Sequence, residues 1–369
     1  MTRIPLDLVA EILCQLPVKF LVQLRCVCKS WNTLISDDSS FVKKHLHVST
    51  TKCKHLLACT WISPPLPEFR MMSYPLTSIF TSEPTLLECF SPIPPDTLVG
   101  SCDGLLCFSV NKDLVLWNPS IRKFKKLPSL EQVVTNCAFG YDPFIDTYKV
   151  VSLSSYSCES DGIDGTPMKV FRTQVNIYTL DTHSWKRIND FPSIPLNGLS
   201  EGIIVSGTVN WFAYSTASGD FSRVIVSLDL GKECYQEISE PNYDEKPIYL
   251  TLGMMRDCLC IFSYSHSFTD VWLMKEYGNK ESWIKLIHLP YFGDHDSHDD
   301  NIHYQKIYGQ KILYIFEDEN DVLLVVNKEF KKWKWVVCDS KNYTIKSFKI
   351  QKDFGWLESK VYVESLISP

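Results

Sequence analysis

The sequence predicts an α+β multidomain protein, a short N-terminal helical unit followed by an all-β propeller of about six or seven blades. Three observations lead there. Apolar residues follow a helical period only within the first 46 positions. The remaining chain is a succession of short β-branched and aromatic runs divided by turn residues. Along that remainder a unit of strand, turn and aromatic recurs, the mark of a repeat architecture.

At 369 residues the chain is more than twice a usual domain of roughly 100 to 150 residues, so it holds several domains or a small unit joined to a large one. Hydrophobic residues at 45% and charged residues at 22% exclude a largely disordered or collagen-like chain, and an aromatic content of 13% favours pleated, half-buried surfaces. The net charge of −6 excludes a whole-chain electrostatic footprint for nucleic acid. That charge is uneven: residues 1–50 carry six basic and four acidic side chains, residues 240–321 seven basic and fifteen acidic. No stretch approaches the roughly 20 apolar residues of a membrane span, and the start MTRIPLDLVAEIL lacks the basic flank and long apolar segment of a signal peptide. A chain that is not secreted keeps its thiols reduced, so the 14 cysteines read as small hydrophobes of a cytoplasmic and/or nuclear protein. Cys26-Val27-Cys28 and Cys258-Leu259-Cys260 lack the matched ligand pairs that structural zinc requires.

In LDLVAEILCQL, Leu6, Val9, Leu13 and Leu16 share one helical face and Asp7, Glu11 and Gln15 another. Pro5 suits the first turn of that helix and Pro17 stops it. Leu8 and Ile12 widen its apolar stripe beyond what one small neighbour covers. KFLVQLRCVC predicts a second helix, with Phe20, Leu24 and Val27 on one face beside Leu21 and Cys28. SWNTLIS predicts a third that groups Trp31, Leu34 and Ile35, and Asp38-Ser39-Ser40 can cap a fourth, short one through Phe41, Val42 and Leu46. Helices this short in so few residues need a partner, either the C-terminal part of the same chain or the helices of another protein.

Past residue 50 no long helix is expected. Leu105 to Val110, Val175 to Leu180, Val209 to Tyr214, Val224 to Leu230, Leu259 to Tyr264, Val322 to Val326 and Trp333 to Cys338 read as strands, with SCDG, NPS, YDPFID, LDTHS, DLGKE and CDSKN as turns between strands. The repeat is carried by VLWNPSIRKF, VNIYTLDTHSW, IVSLDLGKECY, VWLMKEYGNKESW and WVVCDSKNYTIKSF, spaced as four-stranded blades with variable loops would be. Because a propeller must close, VYVESLI near the C-terminus is expected to pair with HLLACTW in the first blade.

These residues carry a family likeness. IPLDLVAEILCQLPVKFLVQLRCVCKSWNTLISDDSSFVKKHL resembles the F-box of the large plant family in which that motif precedes an F-box-associated, kelch-like β-propeller. Pro5, Leu8, Glu11-Ile12-Leu13, Leu16-Pro17-Val18-Lys19, Arg25 to Trp31 and Phe41 fall at the family's spacing, and the likeness continues through GSCDGLLCF, LVLWNPSIRKFKKLP, FGYDPFIDTYKVV, YTLDTHSWKRI, GTVNWF and the closing YVESLISP. There are two departures. Ile4-Pro5 stands where the motif opens with Leu-Pro, and Phe20 stands where the family has Ser, which would cap the second helix for about 1 kcal/mol.

The resemblance implies residues 1–46 as an F-box and 47–369 as a substrate-recognising propeller, together a non-catalytic substrate receptor of an SCF-type ubiquitin ligase. Its F-box would bind a Skp-type adaptor through Ile4, Pro5, Leu8, Ile12, Leu16, Pro17, Leu21, Leu24, Val27, Cys28 and Trp31, and reach cullin and RING subunits through that adaptor. The propeller would capture a protein substrate for ubiquitination. The resemblance implies no cofactor, no nucleic acid and no membrane.

GDHDSHDDNIH has histidines and aspartates in plenty but no fixed ligand spacing, so it reads as a solvated acidic loop and not a metal site, and Asp161-Gly162-Ile163-Asp164-Gly165 lacks the full calcium-loop pattern. G-x-S-x-G, G-x-x-x-x-G-K-[ST] and H-E-x-x-H are absent. Trp117, Trp185, Trp211, Trp283 and Trp333 fill the spaces between blades or stack on a sugar, so a propeller enzyme or lectin with an incidental helical leader is the alternative. Glu240, Asp244 and Glu245, then Asp294, Asp296, Asp299 and Asp300, then Glu317, Asp318, Glu319 and Asp321 fall in loops. If these loops share a face they form a negative substrate surface, with Asp294, Asp296, Asp299 and Asp300 at its centre; if they point to different ends they serve solubility.

Overall fold

The computed structural model describes residues 5–62, 68–88, 94–161, 167–196, 201–215, 222–265, 267–290, 310–316, 321–328, 332–350 and 356–369. Four helices come first: α1 (Leu6–Leu13), α2 (Val18–Leu24), α3 (Lys29–Ser36) and α4 (Ser39–Lys52). Pro5 and Pro17 precede α1 and α2, where a missing N–H costs nothing. Asp38 Oδ1 accepts the Phe41 N–H at 3.0 Å, the cap expected of α4. That helix runs past Leu46 to Lys52, further than its apolar pattern indicates. Its continuation is held by polar groups: buried His45 places Nε2 2.9 Å from the Leu16 carbonyl oxygen, and Ser49 Oγ lies 3.4 Å from His45 Nδ1. Burial lowers the His45 pKa and so favours the neutral ring.

The strands begin with β1 (Lys54–Ile62), β2 (Glu68–Pro75) and β3 (Thr85–Leu87), then β4 (Thr97–Cys102), β5 (Leu105–Val110), β6 (Asp113–Asn118) and β7 (Lys123–Lys126). Next come β8 (Asn136–Asp142), β9 (Thr147–Asp161), β10 (Pro167–Thr179), β11 (Ser184–Arg187), β12 (Ile194–Pro195), β13 (Ile203–Val205), β14 (Thr208–Tyr214), β15 (Arg223–Asp229) and β16 (Cys234–Ile238). The last are β17 (Tyr249–Met255), β18 (Cys258–Tyr264), β19 (Phe268–Met274), β20 (Trp283–Pro290), β21 (Gln310–Ile315), β22 (Asp321–Lys328), β23 (Lys332–Asp339), β24 (Ile345–Ile350) and β25 (Trp356–Val363). They form six sheets, the blades of a six-bladed β-propeller. Every strand run read from the sequence lies within one of these elements or overruns it by a single residue.

The recurring sequence unit is the hairpin between the third and fourth strands of a blade. In the β6–β7, β15–β16 and β23–β24 hairpins an Asp or Asn closes the turn by accepting backbone N–H groups. Asp229 Oδ1 takes those of Gly231 and Lys232, Asp339 Oδ1 those of Lys341 and Asn342, and Asn118 Oδ1 that of Ser120. Of the repeated tryptophans, Trp117, Trp211 and Trp283 are buried and Trp185 is half-buried with Nε1 donating to the Pro128 carbonyl at 2.8 Å, which are packing roles. The Trp333 side chain lies outside the described residues.

The chain packs as two compact units, Met1–Leu127 with Glu329–Trp335 and Ser347–Pro369, and Pro128–Lys328 with Val336–Lys346. In the first, β25 joins β1 in the order β25-β1-β2-β3, with Lys54 opposite Val363 and Trp61 opposite Trp356, so the two ends of the sheet-forming chain close one blade as expected. The blade β4-β5-β6-β7 packs beside it through Leu57, Met71, Leu106, Phe108, Trp117 and Tyr362. The second unit holds the blades β11-β10-β9-β8, β12-β14-β15-β16 with β13 on β14, and β17-β18-β19-β20. Trp211, fully buried, centres one of its cores, with Phe191 edge-on at 5.7 Å.

After β25 the chain turns into a tail that the β4–β7 blade grips. Buried Asn118 Nδ2 donates to the Ser365 carbonyl and hydroxyl, both at 3.1 Å, and to the Ile367 carbonyl at 2.8 Å. Gly104 sits in the left-handed region at φ +83, and a Cβ there would lie 2.3 Å from Ser365 Oγ and 2.8 Å from the Val363 carbonyl oxygen. Gly104→Ala combines backbone strain with that clash, and Asn118→Ala leaves buried carbonyls unpaired. Each is expected to destabilise the fold by about 2 to 4 kcal/mol, measured by chemical denaturation of the full chain.

Candidate adaptor-binding site

The four helices converge on one apolar core. Leu13 and Cys14 of the first turn-and-helix segment, Val18 and Leu21 of α2, Leu34 and Ile35 of α3 and Phe41 of α4 close around Leu366 of the C-terminal tail, with Ile121 at the edge. Pro17 gives α2 no side-chain cap, and the Glu364 carboxylate of the tail lies by the exposed start of that helix. Burial raises the Glu364 pKa, and the nearby Val18 N–H opposes that rise. Position 20, where a Ser was expected to act as a cap, is the third residue of α2, so Phe20 removes no cap there.

The opposite faces of these helices are uncovered. Leu8 is 55% exposed and Ile12 62%, one turn apart on α1, while Phe20 is 50% and Val27 58% exposed. Pro5, Pro17 and Cys28 are exposed as well, whereas Leu16, Leu24 and Trp31 are half-buried against the helical core. Ile4 lies outside the described residues. Leu21 corrects the sequence-based set: at 0% exposure it belongs to the core, because α2 turns that side toward Leu366 and its neighbours. Leu6 and Phe20 were absent from that set and are both half exposed. Their hydrophobicity on short helices was the available signal, but Leu6 sits in the stripe of Leu13 and projects before that stripe meets the core.

Around this surface Lys44 pairs with Glu11, tying α4 to α1. Arg25 Nε is enclosed with no hydrogen-bond partner among the described residues. The Cys28 thiol ionises more readily than usual, first because the Ser30 hydroxyl lies 3.1 Å from Sγ and then through the Trp31 N–H, both favouring the thiolate. All cysteines among the described residues are free thiols, and burial pushes Cys137 and Cys260 up to about 12.

Asp294, Asp296, Asp299 and Asp300, with the whole 293–303 segment, lie outside the described residues, as do 162–165. Of the other acidic loop residues, Glu240 is held by Arg223 through Nε at 2.5 Å and Nη2 at 3.0 Å, and Asp244 pairs with Lys285. Part of the negative excess is therefore neutralised within the chain. Among the described residues no cluster of His, Cys, Asp or Glu could hold a metal ion, and no helix is long and apolar enough to cross a membrane.

Residues 1–43 match the F-box domain family, and residues 73–369 match the F-box associated beta propeller domain family. The chain belongs to the F-box proteins that carry an F-box-associated β-propeller. An F-box/kelch-repeat protein of Arabidopsis thaliana is 31% identical over 304 residues, covering 78% of this chain and 80% of its own. The F-box protein CPR1 of Arabidopsis thaliana is 28% identical over 316 residues, 78% of this chain and 73% of its own. A putative F-box only protein 11 of the same plant is 25% identical over 409 residues, 100% of this chain and 96% of its own. Among solved structures, TolB from Acinetobacter baumannii covers 79% of this chain and 68% of its own at 12% identity and a TM-score of 0.36.

Two measurements check this site. Leu21→Ala should destabilise the helical region by about 2 to 5 kcal/mol while Ile12→Ala leaves it within about 0.5 kcal/mol, read by denaturation of the full chain. Brief alkylation at pH 7.5 should label Cys28 before Cys26 and Cys234, which are also exposed, read by mass spectrometry.

Proposed function

We propose that this chain is a non-catalytic substrate receptor of an SCF-type ubiquitin ligase. Residues 1–46 bind a Skp-type adaptor and through it cullin and RING subunits, and residues 47–369 capture a protein target. The observation that carries this reading is the two-sidedness of the helices: one side is packed on Leu366, while Leu8, Ile12, Phe20 and Val27 remain exposed with no apolar cover among the described residues. A partner's apolar groove removes that cost. The chemistry is tethering, in which a target held beside a charged ubiquitin-conjugating enzyme meets it at a high effective concentration of lysines, and the receptor needs no reactive group of its own. Such a receptor works in the cytoplasm or nucleus, where free thiols stay reduced.

The test separates docking from folding. Leu8→Ala with Ile12→Ala touches only exposed positions, whereas changing Leu16 also disturbs the helical core. Co-expressed with a Skp-type adaptor, the double variant should lose affinity by about 2 to 4 kcal/mol with its thermal unfolding unchanged. Undiminished co-purification would remove these helices as the docking surface.

A further inference from the structure

Strands β9 and β10, at 15 and 13 residues, are the longest among the described residues, and their neighbours stop short. β8 pairs with Thr147 to Leu153 only, and β11 with Asn176 to Thr179 only. Beyond them Ser154 to Asp161 and Pro167 to Gln174 make a two-stranded ribbon. One edge of its base is occupied, since the Ile188 N–H donates to the Val175 carbonyl at 3.1 Å and the Phe191 N–H to the Thr173 carbonyl at 2.8 Å. On the other edge the last bond is from the Thr135 N–H to the Leu153 carbonyl, at 2.8 Å.

Residues of an antiparallel pair alternate between backbone groups that face the partner strand and groups that face outward. Leu153 faces outward, and by that alternation so do Ser155 and Ser157. The register agrees: Thr173, whose carbonyl is bonded from outside, lies opposite Ser155. Among the described residues the outward N–H and C=O groups of Ser155 and Ser157 have no hydrogen-bond partner, and both residues are exposed. Between them Tyr156 braces the ribbon, its hydroxyl donating to Asp190 Oδ2 at 2.7 Å while Arg187 lies 6.0 Å from its ring centroid and 3.3 Å from Asp190 Oδ1.

We propose that this edge takes an extended segment of the target protein as a third strand, paired along Ser155 to Ser157. The edge repeats its donor and acceptor roughly every 6.8 Å, and an extended polypeptide is the ligand whose own backbone matches that ladder; a helix has its groups bonded internally. A braced edge is already in its bound form, which lowers the ordering cost of binding. The proposal rests on reading residues 47–369 as the target-capturing part.

Unstructured dodecapeptides displayed on phage are selected on the full chain purified with its Skp-type adaptor. Ser155→Pro with Ser157→Pro removes two outward N–H groups and leaves the ribbon's own ladder intact. Selected peptides should bind this variant about tenfold more weakly, and on the unaltered chain should lose binding when N-methylated at alternate residues, a readout independent of how the variant folds. Peptides indifferent to both changes overturn the proposal, as does recovery of none above background. A chain that sediments as a dimer and becomes a monomer in the variant also overturns it, because a second copy then occupies the edge. Adaptor co-purification is read alongside: its absence from both chains counts against the receptor reading, and its retention with peptide-indifferent chains counts against the edge alone.

Discussion

Helices of seven or eight residues lose more conformational entropy than their own hydrogen bonds return, so α1, α2 and α3 exist only where something else holds them. Here it is the far end of the chain. Leu366 fills their core, and Asn118 fixes the neighbouring Ser365 by its carbonyl and hydroxyl. The tail is in turn the continuation of β25, whose pairing with β1 closes the first blade. Helices, closure and tail are thus a single cooperative assembly, and the turn at Gly104 has to be free of a Cβ because the tail passes directly over it.

That assembly also determines what the helices can offer a partner. Their apolar residues cover too wide an arc for one neighbour. The tail takes Leu13, Leu21, Leu34 and Ile35, and Leu8, Ile12, Phe20 and Val27 are left outside. A docking surface on a rigid base keeps its side chains placed before the partner arrives, which lowers the ordering cost of binding. The sheets provide a different kind of surface. Their buried tryptophans and Asx-closed turns make stiff blades, and in the β9–β10 ribbon the backbone itself is presented.

Much of the architecture was legible because it is local. The stop at Pro17, the cap at Asp38 and the strand from Leu105 to Val110 depend on residues within a few positions of one another. The repeat was legible for the same reason: at the turns after β15 and β23 an Asp accepts N–H groups two and three residues on. The extension of α4 was not, since it is held by polar side chains: His45 reaches Leu16, a residue 29 positions away, and Ser49 meets His45.

The sequence by itself determined the order and kind of the elements, the need of the short helices for a partner, and the pairing of the last strand with the first, because periodicity, turn chemistry and the closure of a repeat are properties of composition along the chain. Only the tertiary structure decided that Leu21 is core while Ile12 is surface, that Leu366 lies in the helical core, and that Ser155 and Ser157 stand at an open edge. An amphipathic stripe with apolar residues on both flanks does not specify which flank its own chain will cover. That depends on which distant segment comes to lie beside it, and here it is the tail that carries Leu366.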